Sequence, residues 1–138
     1  MHTKDVGDIA EVAITLNALK KGWSVSKPVG ENQRYDLILD DGVSLLKVQC
    51  KSAKLKQEII SASLTRMTRL KDKYKRETYT EQEIDAFGIY CPDIQQCFLI
   101  KIKELTVDGK AQGSVNLRLK ESTGNNQHHI RLAKDYMF

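Results

Sequence analysis

Between residues 35 and 51 the chain reads YDLILDDGVSLLKVQCK, two apolar runs joined by Asp41-Gly42. Alternation puts every second side chain on one face, and Asp-Gly is a strong hairpin signal, so this stretch predicts a pair of antiparallel strands. An isolated hairpin is marginal in water and needs further elements to cover its apolar face. The rest of the chain supplies them. Residues 6–21, VGDIAEVAITLNALKK, carry Ile9, Val12, Ala13, Leu16 and Leu19 at helical spacing, with Lys20, Lys21 and Gly22 suited to the helix end. They predict an amphipathic first helix with Glu11 off the main apolar stripe.

WSVSKPV, EIISASLT, FGIYC, CFLIKI and VNLRLK read as strands, and PDIQQ as the turn between the third and fourth of these. HHIRLAKDYMF reads as a strand or short helical tail, and TGNNQ as a loop. Residues 66–80 mix helix-friendly and turn-friendly types and predict no definite element. With no linker or repeat in sight, the expectation is one α/β domain over residues 1–138, with a mixed β-sheet flanked by helices.

Composition narrows the class. A chain of 138 residues with 41% hydrophobic and 29% charged content can bury a real core and is not globally disordered. No apolar run approaches the roughly 20 residues needed to span a bilayer, so no membrane partner is expected. MHTKDVGDIAE is too polar for a signal peptide. Three cysteines without a CxxC pair suggest reduced, buried thiols and a cytoplasmic location.

Charge is unevenly spread. From Lys51 to Arg76 nine basic residues face only Glu58 and Asp72, a surplus of +7, so the remainder carries −3 of the +4 total. A basic block on a near-neutral body is the footprint of a polyanion binder, although a solvated helix face or loop would look similar.

Within the hairpin, Gln49 and Lys51 share one strand face while Val48 and Cys50 take the other. Asp36 at the start of the first strand is expected beside them, with Leu37, Leu39, Leu46 and Val48 packing beneath and Glu11 available from the helix. A carboxylate, an amide oxygen and an ammonium at one spot suit a hard cation such as Mg²⁺, which prefers oxygen ligands and keeps several waters. Its protein ligands are expected to be Asp36, the Gln49 side-chain oxygen and the Cys50 backbone carbonyl, with Glu11 bound directly or through water. Lys51 is placed to orient or help deprotonate an attacking water and to stabilise charge at a scissile phosphate. Each residue also has a plain structural role open to it: Asp36 as a turn cap, Gln49 as an edge polar group, Lys51 as a solvated strand end.

These residues resemble the PD-(D/E)XK nuclease superfamily: VGDIAE with a helix-borne Glu, KPVGENQRYDLIL with an Asp, then LLKVQCK in place of (D/E)-x-K. The similarity continues through EIDAFGIYCPD and RLAKDYMF. It is strongest to the group I intron homing endonucleases, with Holliday junction resolvases further off. The resemblance implies a restriction-endonuclease-like core, with Glu11, Asp36, Gln49 and Lys51 at the four catalytic positions. It also implies Mg²⁺-dependent hydrolysis of double-stranded DNA by a homo-oligomer, a dimer or a tetramer of two dimers. Gln49 departs from the usual acidic residue, removing one negative charge from the site. A junction resolvase, or a DNA-binding module with weakened catalysis, are the alternative readings.

For DNA, backbone contacts are expected from Lys54, Lys56, Arg66, Arg69, Lys71, Lys73, Lys75 and Arg76, with Arg34 and Tyr35 beside the cut. Ser61, Ser63, Thr65 and Arg66, and the Asn116, Arg118, Lys120 face with the GNNQ loop, are candidates for base reading, or else ordinary exposed strand faces. His128 and His129 point to opposite faces if in a strand, and no HNH pattern accompanies them. CFLIKI, VNLRL and the terminal Tyr136, Met137 and Phe138 are candidate interface material.

Overall fold

A computed structural model describes residues 2–121 and 131–138. The expectations for the loop at 123–127 and for His128 and His129 lie outside the described residues. The chain opens with helix α1 (Thr3–Lys20), followed by β1 (Ser24–Ser26), β2 (Leu37–Asp40) and β3 (Leu45–Ser52). A second group follows: β4 (Lys54–Lys56), β5 (Ile59–Ser63), β6 (Thr65–Leu70) and β7 (Lys73–Thr78). Then come β8 (Ala86–Cys91), β9 (Gln96–Lys101), a short 3₁₀ turn at Ile102–Leu105, β10 (Thr106–Val107), β11 (Lys110–Ala111), β12 (Ser114–Arg118) and β13 (Arg131–Leu132).

The central sheet runs β1-β2-β3-β8-β9. It is mixed, because β3 and β8 are parallel while the other pairs are antiparallel. One face carries Leu37, Leu39, Val48, Cys50 and Ala86 against Ile14 and Ala18 of α1. The other carries Phe87, Ile89, Phe98 and Ile100 into a larger core, closed by Ile60, Ala62, Val115 and Leu117. Those four belong to a second sheet, ordered β13-β12-β5-β4. The expected flanking by helices therefore holds on one face only; among the described residues the other face is covered by a sheet. Asp41 and Gly42 do mark the β2–β3 connection, but the loop runs through Ser44, with the Asp41 carboxylate accepting from Val43 and Ser44 N–H groups.

Two expectations are corrected. The α1 stripe predicted from periodicity is the outer face: Ala10, Ile14 and Ala18 are buried, while Ile9, Val12, Leu16 and Leu19 are exposed. The reason lies in the sheet. A Cβ on Gly88 would stand 3.1 Å from Ile14 Cδ1 and from Val48 Cγ1, so the missing side chain at Gly88 is what lets Ile14 seat against the sheet. Ala10 and Ala18 flank it on the inner face, and Ile9, Val12, Leu16 and Leu19 turn outward.

The second correction concerns residues 66–80, which form an antiparallel ribbon, β6 paired with β7 from Thr65–Thr78 at the base to Leu70–Lys73 near the tip. Of the segments suggested as interface material, Cys97, Phe98, Ile100, Val115 and Leu117 are buried in the core, whereas Met137 is exposed. Phe138 stacks on Trp23 with ring centroids 5.7 Å apart, and its carbonyl accepts from the Asn17 amide.

Candidate active site

The β2–β3 register decides what meets at this end of the sheet. Leu37 pairs with Val48, so one step outward sets Asp36 opposite Gln49. Asp36 is fixed there by its own backbone N–H, which donates to the Val48 carbonyl at 2.9 Å, and by its carboxylate, which accepts from the Cys50 N–H at 3.0 Å. A strand residue sends its N–H and C=O to the same side, so the Cys50 carbonyl is also turned toward β2. Gln49 and Lys51 pair with Phe87 and Ile89 of β8, which face the larger core. Both therefore stand on the sheet face turned away from α1, where Asp36 and Gln49 open into a cleft of about 350 Å³. Arg34, Arg66, Met67 and Tyr79 complete its walls together with residues 31–33.

Glu11 comes to the same sheet end from the opposite face. It is paired with Lys27 and does not line the cleft, yet its charge acts on both Asp36 and Cys50. Burial, with Glu11 adding to it, holds the Asp36 carboxyl above its usual range, against the Cys50 N–H, Lys51 and Lys27 pulling it down. Cys50 is buried and its thiol is pushed up by burial and by the Asp36 and Glu11 charges, so it is inert as a nucleophile.

Lys51 has the complementary environment. Burial depresses its ammonium pKa, with Arg66 and Arg76 contributing and Asp36 opposing. Its Nζ donates to the Thr65 carbonyl at 2.7 Å and lies 5.5 Å from the Tyr79 ring centroid. Tyr79 is itself pushed up to about 12 by burial and by the Asp36 charge. Lys51 and Asp36 are near enough for each charge to act on the other, and perturbed groups of this kind gather at functional sites.

The remaining candidates divide by location. Arg34 borders the cleft but is engaged, its Nε 2.9 Å from Glu83 and a terminal nitrogen 3.8 Å from Glu77. Tyr35 packs against the larger core. Arg66 lines the cleft from the ribbon base, while Arg69, Lys71, Lys73, Lys75 and Arg76 are exposed along or at the tip of the ribbon. Lys54 stands opposite Ser61, and Ser61 opposite Asn116, on the outer face of the second sheet; Lys56, Ile59 and Arg118 form the next row. Ser63 continues that face, and the Ser61 hydroxyl donates to the Asn116 side-chain oxygen at 2.7 Å.

Lys27 and Tyr79 are among the residues at the site that sequence alone does not single out. Lys27, beside Pro28, carries no signal that it will meet Glu11. Tyr79, within ETYTE, looks like any polar-flanked tyrosine until the ribbon returns its chain to the cleft.

The donor set fits a divalent cation. Asp36, Glu11, the Gln49 amide oxygen and the Cys50 carbonyl are hard oxygen donors of the kind such ions select, and two carboxylates share this partly desolvated end. Among the described residues no three of His, Cys, Asp and Glu cluster as a ligand set, so neutral oxygens must complete it.

A family model described as PD-(D/E)XK endonuclease matches residues 1–138. Among solved structures, that of the bacterial homing endonuclease I-Ssp6803I is similar, with a TM-score of 0.73 and 26% sequence identity over 99% of this chain and 89% of that one. No curated protein matches the chain.

Proposed function

The chain belongs to the PD-(D/E)XK endonuclease family and has its restriction-endonuclease-like α/β fold, and from that premise we propose that it is a site-specific, intron-homing DNA endonuclease that hydrolyses double-stranded DNA with Mg²⁺. Nuclease activity, a DNA substrate and use of a divalent metal ion follow from the family; homing and Mg²⁺ are the finer reading. The observation carrying it is that Asp36 and Gln49 line one cleft beside a basic ribbon, with Lys51 two residues along the same strand face and bound to the ribbon base at Thr65, on a chain similar to a homing endonuclease.

In this reading Asp36, the Gln49 amide oxygen and the Cys50 carbonyl hold the cation, with Glu11 contributing from the opposite face. The bound ion supplies charge neutralisation at the scissile phosphate and a lower pKa for a water. Lys51 takes or relays the proton of the attacking water at Nζ, which its depressed pKa favours, and as the ammonium it stabilises the developing phosphate charge. Arg66 anchors a phosphate at the cleft mouth. The ribbon, of the size the major groove admits, carries Arg69, Lys73 and Lys75 along the duplex. A chain this small reads few base pairs alone, so a homo-oligomer would extend the footprint and provide a site for each strand.

The test is incubation of the protein with linear duplex and with a four-way junction, with and without Mg²⁺. Discrete double-strand cuts in linear DNA that disappear in Lys51→Ala, while DNA binding persists, support the reading. Sequence-independent cutting of the junction would point to a resolvase. Binding without cleavage under any divalent cation would leave a DNA-binding module whose chemistry Gln49 has weakened.

A further inference from the structure

Lys27 stands at the same sheet end and has no part in the chemistry assigned to Asp36, Gln49 and Lys51. It directly follows β1, whose last residue, Ser26, lies opposite Ile38. One more step brings Lys27 to the level of Leu37, one residue short of Asp36. Strand alternation gives it the face of Val25, which packs into the core beneath α1. Glu11 reaches that level from the helix, and the two side chains form an ion pair. The Lys27 charge acts on Asp36 as well.

The two partners are unequally held. The Glu11 side chain is 21% exposed and fixed on a helix, whereas the Lys27 side chain is 66% exposed, a compact charge on a flexible stem. Ion pairs at such exposure are worth little, because water and side-chain entropy oppose them. A hard dication, which selects carboxylate oxygen, is the stronger competitor. With Gln49 neutral, the carboxylates of Glu11 and Asp36 are matched by the ammoniums of Lys51 and Lys27. The charge that draws a cation to this sheet end is therefore already balanced from within the chain.

We propose that Lys27 is a displaceable internal counter-ion, which occupies Glu11 in the cation-free protein and is exchanged for the divalent cation when the ion binds. The exchange rests on the cation site proposed above and identifies the group that site must release. Lys27 is thus a positioning residue acting through Glu11: it holds that carboxylate in place and offsets its repulsion of Asp36 until the ion arrives. A merely structural bridge would behave differently. Losing a structural bridge loosens the site and weakens ion binding, whereas losing a competitor tightens it.

Isothermal titration of Mg²⁺ into the DNA-free protein reads that sign without any cleavage step. Lys27→Met keeps the stem and removes the charge at an exposed position. It should bind Mg²⁺ roughly two- to fivefold more tightly than wild type, the range that ion pairs of this exposure command. Lys27→Arg, which restores the pair, should return to the wild-type affinity. In a Glu11→Gln background Lys27→Met should bring no gain, because the carboxylate both cations seek is gone. Affinity unchanged or weakened by Lys27→Met would overturn the exchange and leave the cation site standing. An equal gain in the Glu11→Gln background would also overturn it, since the effect would then belong to a nearby charge and not to the pair. Absence of Mg²⁺ binding in every variant would overturn the cation site, and the exchange with it.

Discussion

Lys51 and Tyr79 are held together by the two ends of the ribbon. The Lys51 ammonium lies 5.5 Å from the Tyr79 ring centroid and donates to the Thr65 carbonyl at 2.7 Å. Thr65 begins β6, and Tyr79 directly follows β7. The ribbon, with Arg69, Lys71, Lys73, Lys75 and Arg76 exposed along it, thus leaves and re-enters the body at the two groups that position the candidate catalytic amine. An aromatic face under a partly desolvated ammonium contributes about 0.5–2 kcal/mol. Tyr79→Phe keeps the ring and should cleave at near wild-type rate. Tyr79→Leu should slow single-turnover cleavage by roughly 2- to 30-fold while leaving DNA affinity unchanged. Equal loss in both variants would show that the hydroxyl, not the ring, matters.

The raised pKa of Asp36 has a consequence for stability. The folded state holds that proton to higher pH than the unfolded chain, so ionising Asp36 costs stability. The cost is absent well below the ordinary carboxylate range, grows as pH rises through the window between unfolded and folded values, and is complete above it. Asp36→Asn, whose amide oxygen can still accept from the Cys50 N–H, should therefore melt higher than wild type at neutral pH and lose that advantage in acid. Lys51 behaves in mirror image: with its pKa lowered, its charge costs stability below the folded value, and that cost fades as pH rises through it. Divalent cation should raise the melting temperature of wild type and not of Asp36→Asn. Differential scanning calorimetry across pH, with and without cation, reads both effects.

On the ribbon, Arg69 and Lys73 are exposed and without ion-pair partners among the described residues. Replacing both with alanine should leave the fold intact and reduce the slope of log affinity against log salt by about 0.9 for each phosphate no longer neutralised. Titration of a labelled duplex at several salt concentrations measures that slope. An unchanged slope would remove the ribbon from the DNA interface.

What the sequence made legible was whatever its local period controlled. Asp36 and Gln49 were readable together because a two-residue alternation and a short hairpin connection fix their register. The ribbon was not, since both its faces are largely exposed and so no apolar alternation marks it. Helix α1 misled for a related reason: its strongest stripe is exposed, and its true inner face is Ile14, seated over Gly88, between the small Ala10 and Ala18. Glu11 was placed on the right element, but nothing local showed that Lys27 would pair with it or that it would stand across the sheet from the cleft. Tyr79 depends wholly on a tertiary return of the chain.

Gln49 offers the sharpest chemical test, because Gln49→Glu changes charge with almost no change in shape. Gln49 stands opposite Asp36, whose carboxyl is already raised by burial and by Glu11. A third carboxylate at this sheet end, without cation, should repel the other two and lower the melting temperature. With cation the sign reverses: a unit charge about 4 Å from another interacts by several kcal/mol at an effective dielectric constant near 20, and although desolvation offsets part of this, a tightening of at least tenfold, about 1.4 kcal/mol, should remain. Thermal shift against Mg²⁺ concentration reads both halves in one experiment. A variant destabilised without cation and rescued at lower Mg²⁺ than wild type needs would place a cation at this sheet end. One whose Mg²⁺ midpoint does not move would show that Gln49 faces no bound ion, and the roles given to Asp36 and Cys50 as its neighbours would have to be reassigned.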